Sequence, residues 1–340
     1  MRKCKLALIA NNYNQTYDGI GAFATSISKN FSKQIILSIY SSKCNGNDSA
    51  IHRITTMGMT KAIFKASTEL CDKDAVILDY PFVEWNPCII LSYLKLKKLC
   101  RAFHVKLFLS LHEYSRVNSL RKVIIRILAR NADCVFVSNN KLAQEIRPFA
   151  NEIRYRNISS NISGYIADGS HDKYTFVYFG LVNKSKAFGE MLAGWDIFNA
   201  SGNYTMNVLT SSNLSGLNEH KNVNYLFHLD DSEVLKIMGN AAYCVIPVSP
   251  EIDMKNTTFK TGALAGCICI GKFTEEYMKL PFVIGMNDYR PEDFVEAFKK
   301  ASAIDSDKIK KMGYLASAFG NQYTPKAVAE VVEKEILSFI

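Results

Sequence analysis

The sequence predicts an α/β protein of two Rossmann-like domains, each a parallel sheet flanked by helices. Short β-rich runs alternate with helical stretches along the chain, a pattern that threads parallel strands through crossover helices. The pattern runs twice, on either side of the polar stretch Ser159–Lys173, whose Gly164, Gly169 and serines read as a linker. A length of 340 residues suits two domains.

In the first half, strands are expected at Leu6–Ala10, Gln34–Tyr40, Ala75–Asp79, Val105–Leu111 and Cys134–Ser138. Helical segments are expected near Ala22–Phe31, Lys61–Leu70, Pro87–Arg101, Ser119–Arg130 and Lys141–Phe149. The second half offers strands at Tyr174–Phe179, Tyr204–Thr210, Val223–Phe227, Tyr243–Pro247 and Cys267–Ile270. Pro325–Ile340 is amphipathic and helical. The expected domains are 1–163, completed by 325–340, and 164–324, with a central cleft between the sheets as the ligand site.

Hydrophobic residues make up 48% and charged residues 21%, a globular composition that argues against disordered, collagen-like and coiled-coil chains. No apolar run approaches the roughly 18 residues that span a bilayer. The apolar stretch after Met1-Arg2-Lys3 stops at Ala10, short for a signal peptide, so a soluble, unexported, cytoplasmic protein is expected. The nine cysteines contain no C-x-x-C pair and the six histidines do not cluster, so buried free thiols are expected and no metal site.

Residues 1–165 carry 24 Lys and Arg against 11 Asp and Glu, whereas residues 166–340 carry 17 against 21. The excess concentrates in Ile89–Phe103, with Lys95, Lys97, Lys98 and Arg101, and in Arg116–Arg130, with Lys122, Arg126 and Arg130. Basic amphipathic helices suit an anionic membrane surface, nucleic acid or plain solvent. Two in one half favour the membrane, and no nucleic-acid reading motif accompanies them, so nucleic acid is not expected as a partner.

Four segments carry candidate chemistry. Gly19-Ile20-Gly21-Ala22-Phe23-Ala24 opens a helix and formally fits the dinucleotide fingerprint. It stands eight residues from the first strand, and the second strand lacks the ribose-binding carboxylate, so its amides are read as meeting a phosphate or sugar rather than NAD. Tyr178-Phe179-Gly180 ends a strand and is followed by Lys184 and Lys186, placed to neutralise a diphosphate. Pro250–Gly266 reads as loop, helix and small-residue turn, with Asn256 or Thr257 as cap and Lys255 and Lys260 nearby. His112 stands at the carboxyl end of a strand, the edge that faces ligands in open α/β sheets. Asp72-Lys73-Asp74 precedes a strand and reads as loop, and Asp230-Asp231-Ser232-Glu233 as helix capping.

In order and spacing these segments resemble the bacterial glycosyltransferases of the GT-B fold, close to the retaining family-four group (glycosyl transferases group 1). Asn131-Ala132-Asp133-Cys134-Val135-Phe136-Val137-Ser138 is similar to that family's A-D-x-V-x-x-x-S strand. Asn157–Ile162 sits where the family has its inter-domain loop. Tyr178-Phe179-Gly180 with Lys186 resembles the donor loop F-G-x-x-x-x-x-K-G, with Ala187 for the last glycine. Thr261–Ile270 is similar to E-A-M-A-x-G-x-P-V-I. The family's E-x7-E pair falls on Asp253 and Thr261, so the second acid, which grips the donor ribose, is absent. Leu181 replaces the arginine that commonly follows the donor-loop glycine.

The resemblance implies transfer of a sugar from a nucleotide-diphosphate sugar, without a cofactor or a metal. The acceptor it implies is a saccharide on a polyprenyl-type lipid carrier. The setting would be O-antigen, lipopolysaccharide, capsule or related polysaccharide biosynthesis, at the inner face of the cytoplasmic membrane. His112, Asp253 and Lys186 would be the catalytic residues. Gly19, Gly21, Gly180, Lys184, Asn256, Thr257, Thr258 and Thr261 would bind the donor. A catalytically inactive GT-B scaffold subunit and a Rossmann-type NAD(P) oxidoreductase are the alternatives.

Overall fold

A computed structural model describes residues 3–11, 13, 19–41, 51–53, 58–80, 88–115, 117–160, 162, 171–183, 186–214 and 219–340. The chain divides into two compact units, Met1–Ile158 with Lys326–Ile340, and Ser159–Pro325.

Unit 1 is built on seven strands: β1 (Cys4–Ala10), β2 (Ile35–Ser41), β3 (Ile51–Arg53), β4 (Ala75–Tyr80), β5 (Lys106–Leu111), β6 (Cys134–Val137) and β7 (Ile153–Tyr155). Their order is β3-β2-β1-β4-β5-β6-β7, and every neighbouring pair is parallel. The central strands are runs of Leu, Ile, Val and Ala, because helices cover both faces of the sheet. Those helices are α1 (Gly19–Ser28), α2 (Gly58–Thr68), α3 (Ile89–Ala102), α4 (Ser119–Asn131) and α5 (Asn140–Ile146).

Unit 2 repeats the plan with β8 (Asp172–Phe179), β9 (Thr205–Thr210), β10 (Val223–Phe227), β11 (Ala241–Val245), β12 (Ile268–Gly271) and β13 (Val283–Gly285). Their order is β10-β9-β8-β11-β12-β13, again parallel throughout. Its helices are α6 (Phe188–Phe198), α7 (Asp231–Asn240), α8 (Thr257–Leu264), α9 (Glu275–Met278), α10 (Pro291–Ser302) and α11 (Ser306–Asn321). Both sheets thus follow the Rossmann order, which reverses direction beside the first strand. That reversal opens a crevice at the carboxyl ends of β1 and β4 in unit 1, and of β8 and β11 in unit 2.

The last helix, α12 (Pro325–Leu337), belongs to unit 1. Val328, Val332 and Ile336 join Leu6, Phe23 and Phe136 in one core cluster. Glu333 accepts bonds from the backbone amide of Ser32, at 2.8 Å, and from its hydroxyl. The boundary between units falls at Ile158/Ser159, ahead of the expected 163/164. The reason is packing: Ile162 is buried in the unit 2 core, and the Ser160 amide donates to the Tyr323 carbonyl at 2.7 Å.

Several expectations need correction. The edge strands β3, β7 and β13 have three residues each, too few to show a period of two. Lys97 does not join a basic face, because it is buried and its Nζ meets Asp133 Oδ1 at 2.7 Å. Asp133 Oδ2 also takes the Leu107 amide at 2.8 Å, so the aspartate of the Ala-Asp run ties α3 to the sheet. Six of the free thiols are buried, but Cys71 and Cys88 are exposed. Asp230 and Glu233 do form a capping box at α7.

Candidate functional site

In unit 2 the crevice is assembled from three chain segments. Gly180 follows β8 with φ of +131°, a conformation that side chains resist, and its amide donates to the Leu209 carbonyl at 3.0 Å. The chain then turns back: the Lys186 amide donates to the Asn183 carbonyl at 3.0 Å, and the Ala187 amide to the Pro247 carbonyl at 2.9 Å. An antiparallel bridge pairs Lys186 with Val248, beyond β11. The loop is held from beside by Ser212, whose hydroxyl accepts the Val182 amide at 2.8 Å.

This path lays the Lys186 ammonium against Gly180. A Cβ placed on Gly180 would lie 2.7 Å from Lys186 Nζ and 3.5 Å from Thr258 Oγ1. The glycine, the lysine and the threonine of the first turn of α8 therefore meet at one point. Lys186 Nζ is also 5.3 Å from the Tyr178 ring centroid. Among the described residues no carboxylate lies within ion-pair distance of it. Burial brings the ammonium down to about 8, against a small opposing effect of Cys244.

The α8 N-terminus completes this surface. Asn256 caps it by accepting the Phe259 amide at 2.7 Å, and Thr257 and Thr258 open its first turn. Amides there and the helix dipole favour an anion. Asp253 shapes the preceding turn: its Oδ1 accepts the Lys255 amide at 2.9 Å, and its carbonyl the Asn256 amide at 3.0 Å. Two expected contributors are used elsewhere. Thr261 is fully buried and donates to the Thr257 carbonyl at 3.0 Å. Lys260 is fully buried as well, and its Nζ donates to the Met254 carbonyl at 2.6 Å over the Tyr323 ring. Lys184 lies outside the described residues.

In unit 1 the carboxyl edge carries a buried charged cluster. Asp79 on β4 and Ser110 on β5 are register partners, and the serine hydroxyl donates to Asp79 Oδ1. His112 follows β5 and places Nε2 at 3.2 Å from the same oxygen. Arg156, just beyond β7, reaches across the edge with Nη1 at 3.4 Å from Asp79 Oδ1. Its Nη2 is 3.1 Å from Nε2 and 3.3 Å from Nδ1 of His112. Phe23 of α1 lies 4.0 Å from the guanidinium carbon and meets the imidazole edge-on. Burial raises the Asp79 carboxyl, but the electrostatic pull of His112 and Arg156 and the bonds from His112 and Ser110 outweigh it and hold it below the usual carboxylate range. Burial brings Arg156 down to about 10, with Asp79 pulling it back up.

Gly19 and Gly21 stand in the first turn of α1, as expected of a segment that opens a helix, and the Gly21 carbonyl accepts the Thr25 hydroxyl at 2.8 Å. Sequence reasoning missed Asp79 and Arg156. A signal for the first was present: Asp79 is a lone carboxylate closing an otherwise apolar strand. Arg156 followed a strand too short to notice.

No family model matches the chain, and no curated protein matches it in sequence. Solved structures do match in fold. An alpha-glucosyltransferase in complex with UDP and a 13-mer DNA containing an HMU base superposes with a TM-score of 0.65 at 15% identity, over 99% of this chain and 100% of that one. An α,α-trehalose 6-phosphate synthase from Burkholderia multivorans gives 0.66 at 10% identity, over 99% and 97%. The N-terminal domain of a Candida albicans trehalose-6-phosphate phosphatase gives 0.68 at 11% identity, over 100% and 97%. Two Rossmann-like units in this order are the GT-B fold, and the chain has it.

Proposed function

We propose that the protein is a glycosyltransferase that moves a sugar from a nucleoside-diphosphate sugar to an acceptor hydroxyl. The observation that carries this reading is the Lys186 ammonium, half buried and without a carboxylate partner among the described residues, at the point where Gly180 and Thr258 meet. A desolvated cation beside a helix N-terminus at the crevice of a Rossmann sheet fits a diphosphate. The fold, and the UDP, UDP-glucose or UDP-2-fluoro glucose bound in several neighbours, support the same ligand.

In this reading the acceptor oxygen bonds to the anomeric carbon as the bond to the diphosphate oxygen breaks, and the acceptor's hydroxyl proton passes to the departing diphosphate. Lys186, Thr258 and the α8 amides neutralise the leaving diphosphate, the charge that a divalent metal would otherwise offset. Asn256 and Thr257 fix those amides. Asp253 orients the sugar hydroxyls, and by resemblance His112 is a further catalytic residue. By resemblance the reaction retains anomeric configuration. The loss of a second acid at Thr261 motivates the competing reading of an inactive scaffold, which would bind nucleotide without turnover.

Unit 1 would take the acceptor, a saccharide on a lipid carrier at an anionic membrane surface. On α3, Leu91 and Leu94 are exposed together with Lys95 and Lys98, and on α4 Leu120 and Val123 are exposed, a composition suited to an interface. No helix among the described residues is long and apolar enough to cross a membrane. DNA is a second acceptor class, favoured by the DNA bound in four of the alpha-glucosyltransferase neighbours and by the basic first half.

Ligand-detected NMR with UDP, GDP, TDP, CMP and NAD tests the donor site. One nucleoside diphosphate should bind and lose affinity in Lys186→Ala; NAD alone, or binding indifferent to the substitution, would sink the assignment. Flotation with anionic vesicles, with duplex DNA as competitor, tests the acceptor face. Binding that weakens with salt supports the membrane reading, and DNA binding without flotation replaces it.

A further inference from the structure

We propose that Asp79 and Arg156 are positioning residues for His112: Asp79 holds the imidazole proton on Nε2, and Arg156, lying over the ring face, keeps the imidazole neutral. Its consequence for sugar transfer rests on the proposed function, but the state of the ring does not.

The geometry of the cluster fixes the roles. Arg156 Nη2 is nearly equidistant from both ring nitrogens, at 3.1 and 3.3 Å. An atom that close to both cannot lie in the ring plane without colliding with Cε1, so it lies over the face. There the guanidinium opposes a second positive charge on the imidazole. Asp79 Oδ1 is 3.2 Å from Nε2 and also accepts from Ser110 and Arg156. With the Ser110 hydroxyl and the Arg156 guanidinium both donating to it, Asp79 is an ionised acceptor, so the ring nitrogen that faces it, Nε2, carries the proton. Among the described residues, Asp79 from β4 and Arg156 from beyond β7 are the charged groups against the ring. Ser110 of β5 and Phe23 of α1 are uncharged neighbours, and Glu113 follows His112 in the chain.

A purely structural role accounts poorly for this arrangement. Arg156 spans the carboxyl ends of two strands to reach Asp79, and its Nε has no hydrogen-bond partner among the described residues. A buried ion pair contributes little net stability, and an unpaired N–H subtracts from it. The cluster sits at the edge where an α/β sheet meets its ligand, on the residue pattern expected of an oriented functional histidine.

The test is a 15N and 13C histidine-labelled NMR titration of the full chain, with His112 assigned through His112→Gln. In the wild type, the His112 nitrogen shifts should report the Nε2–H tautomer and a neutral ring at pH 7. In Arg156→Met the ring keeps Asp79 without the opposing cation, so its titration should move up by at least about one pH unit. In Asp79→Asn it should move down, and Arg156→Lys should titrate near wild type. An Nδ1–H tautomer in the wild type overturns the proposal, even if every variant fails to fold. So does a titration that Arg156→Met and Asp79→Asn leave in place. With a donor in hand, the acid limb of the pH–rate profile should move with the ring in Arg156→Met, while donor KM stays within about twofold. Absence of turnover would count against the proposed function and leave the NMR result standing.

Discussion

At Lys186, burial and an anion site act on one atom. Its ammonium is brought down to about 8 by desolvation, and an anion beside it favours the charged form. The sign is fixed: nucleoside-diphosphate affinity should fall as pH rises through about 8, because the free lysine loses its proton there. Calorimetric titration at pH 7 and pH 9 should show that fall in the wild type and not in Lys186→Arg, whose charge persists. Lys186→Ala should lose about ten- to a hundredfold in affinity at pH 7, the worth of a charge-assisted contact. Gly180→Ala belongs to the same atom. Its Cβ would lie 2.7 Å from Lys186 Nζ at a φ of +131°. We expect weaker nucleotide binding together with about 1–3 kcal/mol of strain, read from urea melts; a variant with wild-type affinity would place the diphosphate elsewhere.

At the scale of the element, α8 and α7 offer a matched pair. Both carry a capping side chain, Asn256 on α8 and Asp230 on α7. Removing either should cost about 1 kcal/mol of stability. Only Asn256→Ala should also weaken nucleotide binding, because only α8 presents its first turn to Gly180 and Lys186. Equal effects of the two on binding would show that α8 is simply another helix. The α3 and α4 pair shows how a basic stripe is divided by packing. Lys97 is drawn into the core by Asp133, and Arg126 stacks 4.8 Å from the Phe149 ring and donates to the Tyr114 hydroxyl at 2.7 Å. Lys95, Lys98 and Arg130 stay exposed. The charge that reaches a partner is therefore smaller than the count along the chain.

Over the whole molecule, the chain leaves unit 1 once and returns. The return places α12 on the core that Phe23, Phe108 and Phe136 build, and Phe108 meets Phe339 edge-on at 5.3 Å. Truncation before Lys326 should therefore destabilise unit 1 by several kcal/mol, since it uncovers Val328, Val332 and Ile336 together. Limited proteolysis should then cut within 3–158 first. Nucleotide binding by unit 2, whose core contains none of those residues, should survive longer than the unit 1 cleavage products. Simultaneous loss of both would mean that the two cores do not unfold separately.

The sequence by itself determined the α/β class, the two-fold repeat of the pattern and most central strands. Those features follow from apolar runs of β-branched residues between amphipathic helices, which are local and periodic. It also marked Gly180, Lys186 and Thr258, because glycine, lysine and a capped helix start each leave a local sign. Only the tertiary structure decided which of the marked residues meet. Thr261 and Lys260 belong to the same short helix as Thr258 but face the core, and one turn of rotation is invisible without knowing what the helix packs against. Asp79 and Arg156 are 77 residues apart, one on β4 and the other just beyond β7, strands that are not neighbours. Their meeting at His112 depends on strand order, which is set by burial of the whole sheet rather than by any segment of the chain.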